Sequence, residues 1–330
     1  MNSIRFWIKN ARATALPQSL LPAILAMCLA LRHESFSFYL SIMAIMGVIT
    51  GHLGMNLFDD YFDYKIKKTE FRNDMAKKGF RARIAKCNYL TSGQTNIKQL
   101  LIVCITFCAI ALVLGIIIWI VRGNFIAWIA LLTAVLGISY SGAPLRLSYR
   151  GFGEIVIGIL FGPLLMMGVY YAACGQFDWS ILFISVPIGL LVANIVYTHA
   201  IMDYEPDREV GKMTFAVLLK DKRKMLIGLL LILFTAFGSI IGGVIGGYLS
   251  PVYFLVLLAL PIAIALFYLM LEFVYHPEKK FVPRFWMGPM GDWKRLQALD
   301  LDWFMIRWLL ARNLLSLFCL IIIIATFISK

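Results

Sequence analysis

The sequence predicts an all-α polytopic membrane protein, a bundle of nine transmembrane helices with the N-terminus cytoplasmic and the C-terminus outside. Three observations lead there. Ala, Val, Ile, Leu, Met, Phe, Trp, Tyr and Cys make up 61% of the 330 residues and charged residues only 15%, too few to cover a water-soluble surface. The chain repeats charge-free stretches near the roughly 20 residues that a helix needs to cross a bilayer core of about 30 Å. Lys and Arg crowd every second connection between those stretches.

The spans run, in order, over residues 18–31, 37–58, 99–121, 123–145, 155–177, 179–202, the two halves of 225–271 divided near Tyr248-Leu-Ser-Pro251, and 303–329. The last carries Arg307 and Arg312 near its start, where long side chains are expected to snorkel to the interface. The first contains Ala26, Cys28 and Ala30, a weak match to a signal-peptide cleavage site. It is expected to be retained because it leads straight into the array. Basic residues fix the orientation. Arg5, Lys9 and Arg12 precede span one, ten Lys or Arg lie from Lys65 to Lys98, Arg146 and Arg150 follow span four, six lie from Arg208 to Lys224 and five from Lys279 to Arg295. The connections on the other side carry one at most. A nucleic-acid patch would not alternate in step with apolar spans, so the +13 net charge is a membrane-topology signal and no nucleic-acid partner is expected. The reading gives one transmembrane domain over 1–330, with a cytoplasmic insertion at 277–301 before the last span. The six cysteines are scattered; Cys104 and Cys108, one turn apart in an apolar span, read as packing, and no disulfide framework is expected.

The carboxylates carry the chemistry. Asn56-Leu-Phe-Asp59-Asp60-Tyr-Phe-Asp63 closes span two, and Asp203-Tyr-Glu205-Pro-Asp207 closes span six. If span two stays helical, Asn56, Asp60 and Asp63 share one face and Asp59 and Asp63 are one turn apart. Like charges so stacked repel unless a cation lies between them. Pro206 disfavours helix at Glu205, so Asp207 is expected in the loop after span six. Hard oxygen ligands with only the distant His199 suit Mg²⁺ better than Zn²⁺. Each cluster runs into a basic loop, the first into Lys65, Lys67, Lys68, Arg72, Lys77, Lys78, Arg81 and Arg83, the second into Arg208 and Lys212. Acids that hold a divalent ion beside cations are what a diphosphate requires. Solvated helix ends and the positive-inside bias are the plainer reading of any one of these residues.

The two clusters resemble the paired Asp-rich motifs, NDxxDxxxD and DxxxDxxxD, of the UbiA superfamily of intramembrane prenyltransferases, and nine spans are that family's architecture. Tyr140-Ser-Gly-Ala-Pro-Leu-Arg146-Leu-Ser-Tyr149-Arg150-Gly-Phe-Gly-Glu154 is similar to the YTGGPxPLxYRGLGE segment of the MenA-type dihydroxynaphthoate polyprenyltransferases, and Asp207-Arg208-Glu-Val-Gly-Lys212-Met-Thr214 is similar to that branch's DRxxGKxT. The chain departs from the pattern in having Asp59 where the first motif starts with Asn and Lys67 where its last Asp falls, with Glu70 or Asp74 as the substitutes at hand. His199-Ala200 replaces an Asn pair, and the insertion has no counterpart.

The resemblance implies Mg²⁺-dependent transfer of a polyprenyl group from its diphosphate to a hydroxylated aromatic acceptor, 1,4-dihydroxy-2-naphthoate with decarboxylation in menaquinone biosynthesis. The active site would face the cytoplasm and the isoprenoid tail would lie among the spans. Asp60, Asp63, Asp203 and Asp207 would ligate the metal, helped by Asp59. Asn56, Lys212 and Arg208 would bind the diphosphate, and Tyr140, Ser141, Tyr149 and Arg150 would meet the acceptor or steady the allylic cation. Arg150 and Glu154, i and i+4, could instead form a pair that only anchors their loop, and His52 reads as a hydrogen-bonded bundle histidine. The rival readings are another acceptor for the same chemistry, such as hydroxybenzoate, homogentisate or a glyceryl phosphate, and a cation-coupled transporter, whose acids would lie nearer the midplane.

Overall fold

A computed structural model describes residues 3–65, 87–209 and 211–329. Among these the chain is helical apart from turns and one isolated bridge, Arg150 to Met213. The main helices are α1 (Pro17–Ala30), α2 (Phe38–Lys65), α3 (Ile97–Arg122), α4 (Asn124–Ser141), α5 (Gly153–Cys174), α6 (Ser180–Met202), α7 (Lys222–Ile245), α8 (Pro251–Tyr275) and α9 (Asp302–Ile328). Eight of them, α2 to α9, are long and apolar enough to cross a membrane. The first expected span is shorter than that: α1 has 14 residues, about 21 Å at 1.5 Å per residue.

Helix starts and stops follow local chemistry. Asn96 caps α3 by accepting from Gln99 N at 2.9 Å, and Asp221 caps α7 from Lys224 N at 2.9 Å. α3 and α4 are joined by Gly123 alone, at φ +86°, a conformation that favours glycine. At this turn Arg122 donates to Ala172 O (2.9 Å), Ala173 O (2.7 Å) and Ser35 O (3.0 Å). It thereby satisfies carbonyls at the end of α5 and holds the α3–α4 hairpin against the bundle.

α6 is the central post. Of its apolar stretch 72% is buried within the protein, against 11% for α3, so α3 presents its surface to lipid while α6 packs on α5, α7 and α9. The α5–α6 crossing is made by glycines. A Cβ on Gly162 would stand 2.4 Å from Ser185 O and 2.6 Å from Gly189 Cα, and one on Gly189 would stand 2.2 Å from Gly158 O. Gly158 and Gly162 form a Gly-x-x-x-Gly pair that lets two backbones touch. Just there α5 widens into a π turn over Leu160–Leu164, around Pro163, whose missing N–H leaves a carbonyl unpaired in the helix.

Two expectations are corrected. Asp207 is not in a loop: Tyr204–Glu209 is a short helix with Pro206 in its first turn, where a missing N–H costs nothing. Arg307 does not snorkel. It is fully buried, donating from Nε to Leu269 O at 2.9 Å and from Nη1 to Trp303 O, with Phe273 and Phe281 rings 5.1 and 5.8 Å from its guanidinium. The cause is the segment 277–301, which folds over the start of α9, supplying Phe281 to Arg307 and the Met287 and Pro289 carbonyls to Asn313 Nδ2 (2.8 and 3.0 Å). Arg312 lies over the Trp308 ring at 4.9 Å.

Candidate active site

A cavity of about 820 Å³ lies between α1, α2, α3, α4, α5 and α6, within the size range of small-molecule sites. On α2 its wall runs from Phe62 and Asp59 through Met55, Gly51 and Gly47 to Met43. Asp59 to Met43 is about 24 Å of helix. Asn56, Asp59, Tyr140, Ser141, Asp203, Asp207 and Lys212 line one end, with Arg12, Ser148, Glu154 and His199. Beyond them the wall is mostly apolar, with Val48, Ile118, Ile126, Ile157, Phe161 and Val169, broken by Gln18, Ser19, His52 and Thr133.

The first acidic cluster lies on continuous helix, since α2 extends to Lys65, but its members diverge. Asp59 lines the cavity and accepts from Arg12 Nη2 (3.2 Å) and Ser141 Oγ (2.5 Å). Asp60, 3% exposed, accepts from Arg12 Nη2 (2.8 Å) and Tyr89 Oη (3.0 Å). Asp63, equally buried, accepts from Tyr149 Oη. Asn56 donates to Ala11 O (3.0 Å), and Arg12 donates to Asn56 O (2.8 Å). The N-terminal segment is thus clamped onto the motif. Burial alone would lower the Arg12 pKa; Asp60 and then Asp59 outweigh it and raise it, so the guanidinium stays charged.

The second cluster belongs to the end of α6. Asp203 Oδ2 is 2.8 Å from His199 Nε2, and both Asp203 and Asp207 are 2% exposed while lining the cavity. Asp207 N donates to Asp203 O (2.9 Å) and Lys212 N to Asp207 O (2.8 Å), which wraps the chain around the site. Lys212 Nζ lies 5.7 Å from the Tyr149 ring centre. Phe215 N donates to Glu154 Oε1 (3.2 Å), so the first turn of α5 is tied to the segment that follows the second cluster.

Not every expected residue reaches the cavity. Asp60, Asp63, Tyr149, Arg150 and Arg208 are not among its lining residues. Arg208 pairs with Glu205 at 2.7 Å on the exposed side of its helix, and Arg150 donates to Pro144 O (3.1 Å). Arg150 and Glu154 form no ion pair among the described residues, since each has the other partner just named. Lys67, Lys68, Glu70, Arg72, Asp74, Lys77, Lys78, Arg81 and Arg83 lie outside the described residues. Sequence reasoning set His199 aside as distant and gave Arg12 and Tyr89 no role at the site. His199 was findable, one helical turn before Asp203. Arg12 and Tyr89 were not, because their partners lie 29 to 48 residues away and no local pattern marks them.

Burial, with Asp60 next, pushes the Tyr89 phenol well above its ordinary range, so it remains a donor. Tyr89→Phe is therefore expected to cost about 1–3 kcal/mol by leaving a buried carboxylate oxygen short of a partner. Thermal unfolding in detergent, compared with the wild type, measures it.

The sequence profile of the UbiA prenyltransferase family matches residues 19–287. The chain belongs to that family. It is a prenyltransferase and an integral multi-pass membrane protein. Over 254 residues it is 26% identical to the 1,4-dihydroxy-2-naphthoate octaprenyltransferase of Bacillus subtilis, covering 76% of this chain and 77% of that one. In fold, the prenyltransferase is similar to a structure of digeranylgeranylglyceryl phosphate synthase (TM-score 0.64, 15% identity, 99% of this chain and 98% of that one). It is also similar to a UbiA homologue from Archaeoglobus fulgidus bound to GPP and Mg²⁺ (TM-score 0.56, 14% identity, 93% and 97%).

Proposed function

We propose that this prenyltransferase transfers a polyprenyl group from its diphosphate to 1,4-dihydroxy-2-naphthoate with loss of CO₂, a step of menaquinone biosynthesis. The observation that carries the chemistry is the two-part cavity, with carboxylates and Lys212 at one end and an apolar tube along α2 beyond them. That form fits an amphiphile with a charged head and a long isoprenoid tail. The acceptor rests on the dihydroxynaphthoate octaprenyltransferase relative and on the Tyr149-Arg-Gly-Phe-Gly-Glu154 segment. The nine helices form a single domain over 1–330, with α1 completing the set. The alternation of basic connections puts the acidic end, the segment before α1 and the insertion at 277–301 on the cytoplasmic side, and the end of α9 outside.

The donor set fits a hard divalent cation: Asp59, Asp203 and Asp207 line one end of the cavity as oxygen ligands, with no cysteine beside them. Among the described residues no three such side chains stand already gathered as a metal cluster. Asp203 and Asp207 would hold Mg²⁺ on one side, and Asp59, Asp60 and Asp63 on the other. When bound, Mg²⁺ supplies positive charge to the diphosphate oxygens. Lys212 and Arg12 carry further positive charge at the same end, with Arg208 at the rim and Asn56 orienting the head group. Charge building on the departing diphosphate is thereby stabilised where it develops. Tyr140 presents an aromatic face for the allylic cation, worth about 0.5–2 kcal/mol. The apolar tube keeps water from it. Ser141, Tyr149 and Arg150 frame the acceptor's side.

Carboxyl-labelled dihydroxynaphthoate, given to purified protein with one polyprenyl diphosphate and Mg²⁺, is expected to release labelled CO₂ in step with prenylated product, and EDTA is expected to stop both. Product from hydroxybenzoate or glyceryl phosphate alone would replace this acceptor with another of the family's chemistry.

A further inference from the structure

The apolar tube is interrupted once on α2, by a histidine. His52 lies seven residues before Asp59, about 10 Å along the helix, and lines the cavity together with Gln18, Ser19 and Phe161. Its Nδ1 is 2.7 Å from Ser19 Oγ, and Ser19 Oγ is also 3.1 Å from Leu16 O. A hydroxyl has one proton. Leu16 O already accepts from Ser19 N (2.9 Å) and Leu20 N (2.8 Å), so that proton is not fixed on it, and either Ser19 Oγ or His52 Nδ1 can donate in the 2.7 Å bond. This bond engages Nδ1 in either tautomer and leaves Nε2 with no protein hydrogen-bond partner among the described residues. The Phe161 ring, edge-on with centres 5.0 Å apart, holds the imidazole in place from the π turn of α5.

The neighbouring polar groups of this wall are engaged. Asn56 Nδ2 is spent on Ala11 O, and Asp59 on Arg12 and Ser141. Past His52 the α2 wall offers only Gly51, Val48, Gly47, Ala44 and Met43. A ring nitrogen held at the border between a charged head site and an apolar tube suits a hydroxyl on a flat, largely apolar molecule. A hydrocarbon tail has no use for it.

We propose that His52 Nε2 hydrogen-bonds a ring hydroxyl on the aromatic acceptor, with Ser19 as the positioning residue that holds the imidazole through Nδ1. This subsite selects hydroxylated rings and orients them towards the diphosphate end. It rests on the prenyl-transfer reading above.

The test varies acceptor and polyprenyl diphosphate separately for the full-length enzyme, His52→Phe and Ser19→Ala, using dihydroxynaphthoate and its two monomethyl ethers. His52→Phe keeps the ring and its contact with Phe161. It is expected to lower kcat/KM for the acceptor at least about tenfold, with the KM for polyprenyl diphosphate unchanged. One ether is expected to be a poor acceptor for the wild type, and the gap between it and dihydroxynaphthoate to collapse in His52→Phe. A packing role would leave that gap intact. Ser19→Ala is expected to shift the same ratio in the same direction by less, which keeps the test open if the Phe variant does not fold. An unchanged gap in both variants, or a change confined to the KM of the diphosphate, would overturn the proposal. Wild-type enzyme with no transfer to dihydroxynaphthoate would overturn the acceptor reading first, and this inference with it.

Discussion

Replacing Asp207 by Asn is expected to lower kcat on the order of 10²–10³-fold, the loss that follows removal of one electrostatic contributor to a transition state. The side chain is 2% exposed and lines the cavity, and its own backbone N–H and C=O are bound to Asp203 and Lys212. Asn keeps the size and these backbone bonds, so the fold should survive while a negative ligand is lost. Asp221 is the control. It lies on the same chain 14 residues later, but only caps α7. Asp221→Ala should cost about 1 kcal/mol of stability and leave turnover at the wild-type level. Initial rates and thermal unfolding on the same preparations separate the two. Asp207→Asn with near-normal Mg²⁺-dependent transfer would remove Asp207 from the site.

Gly162→Val is expected to have the largest effect on the fold. The new Cβ would enter the backbone of α6 at Ser185 O and Gly189 Cα, 2.4 and 2.6 Å away. Backbone cannot swing aside as a side-chain tip can, so the helices must separate. Overpacking costs about 1–3 kcal/mol, and more where nothing yields. Because α6 ends in His199, Asp203 and the chain leading to Lys212, separation also displaces the second cluster. The expected readout is a lowered unfolding temperature together with a loss of activity. Gly238→Val is the contrast, since no atom stands within 4 Å of a Cβ there, and it should leave both measures unchanged.

What the sequence made legible divides along physical lines. Charge-free runs read out α2 to α9 to within about four residues at each end because lipid exposure penalises every charge, except that α2 carries its acidic motif on to Lys65. The turn at Tyr248–Pro251 was visible in its Pro. The Gly158–Gly162 contact went unread, although Gly-x-x-x-Gly in an apolar span is the pattern of two helices that touch. The burial of Arg307 was not, because it depends on where the insertion folds back and on Phe281 meeting a cation far along the chain. The helix at Tyr204–Glu209 hid behind Pro206, which breaks helices in their middle but not in their first turn. At the site, the spacing of Asp59, Asp60 and Asp63 on one helix was readable. The different partners they take, Arg12, Tyr89 and Tyr149, come from three other segments and are set by tertiary packing alone.

One cavity is expected to receive the diphosphate at its carboxylate end and the isoprenoid along α2. The direct measurement is a structure of the protein with Mg²⁺ and a non-hydrolysable polyprenyl thiodiphosphate. The diphosphate is expected between Asp59 on α2 and Asp203 and Asp207 at the end of α6, beside Lys212, with the chain passing Met55, Gly51 and Gly47. A diphosphate bound away from Asp203 and Asp207, or a tail lying outside the α2–α5 tube, would contradict it.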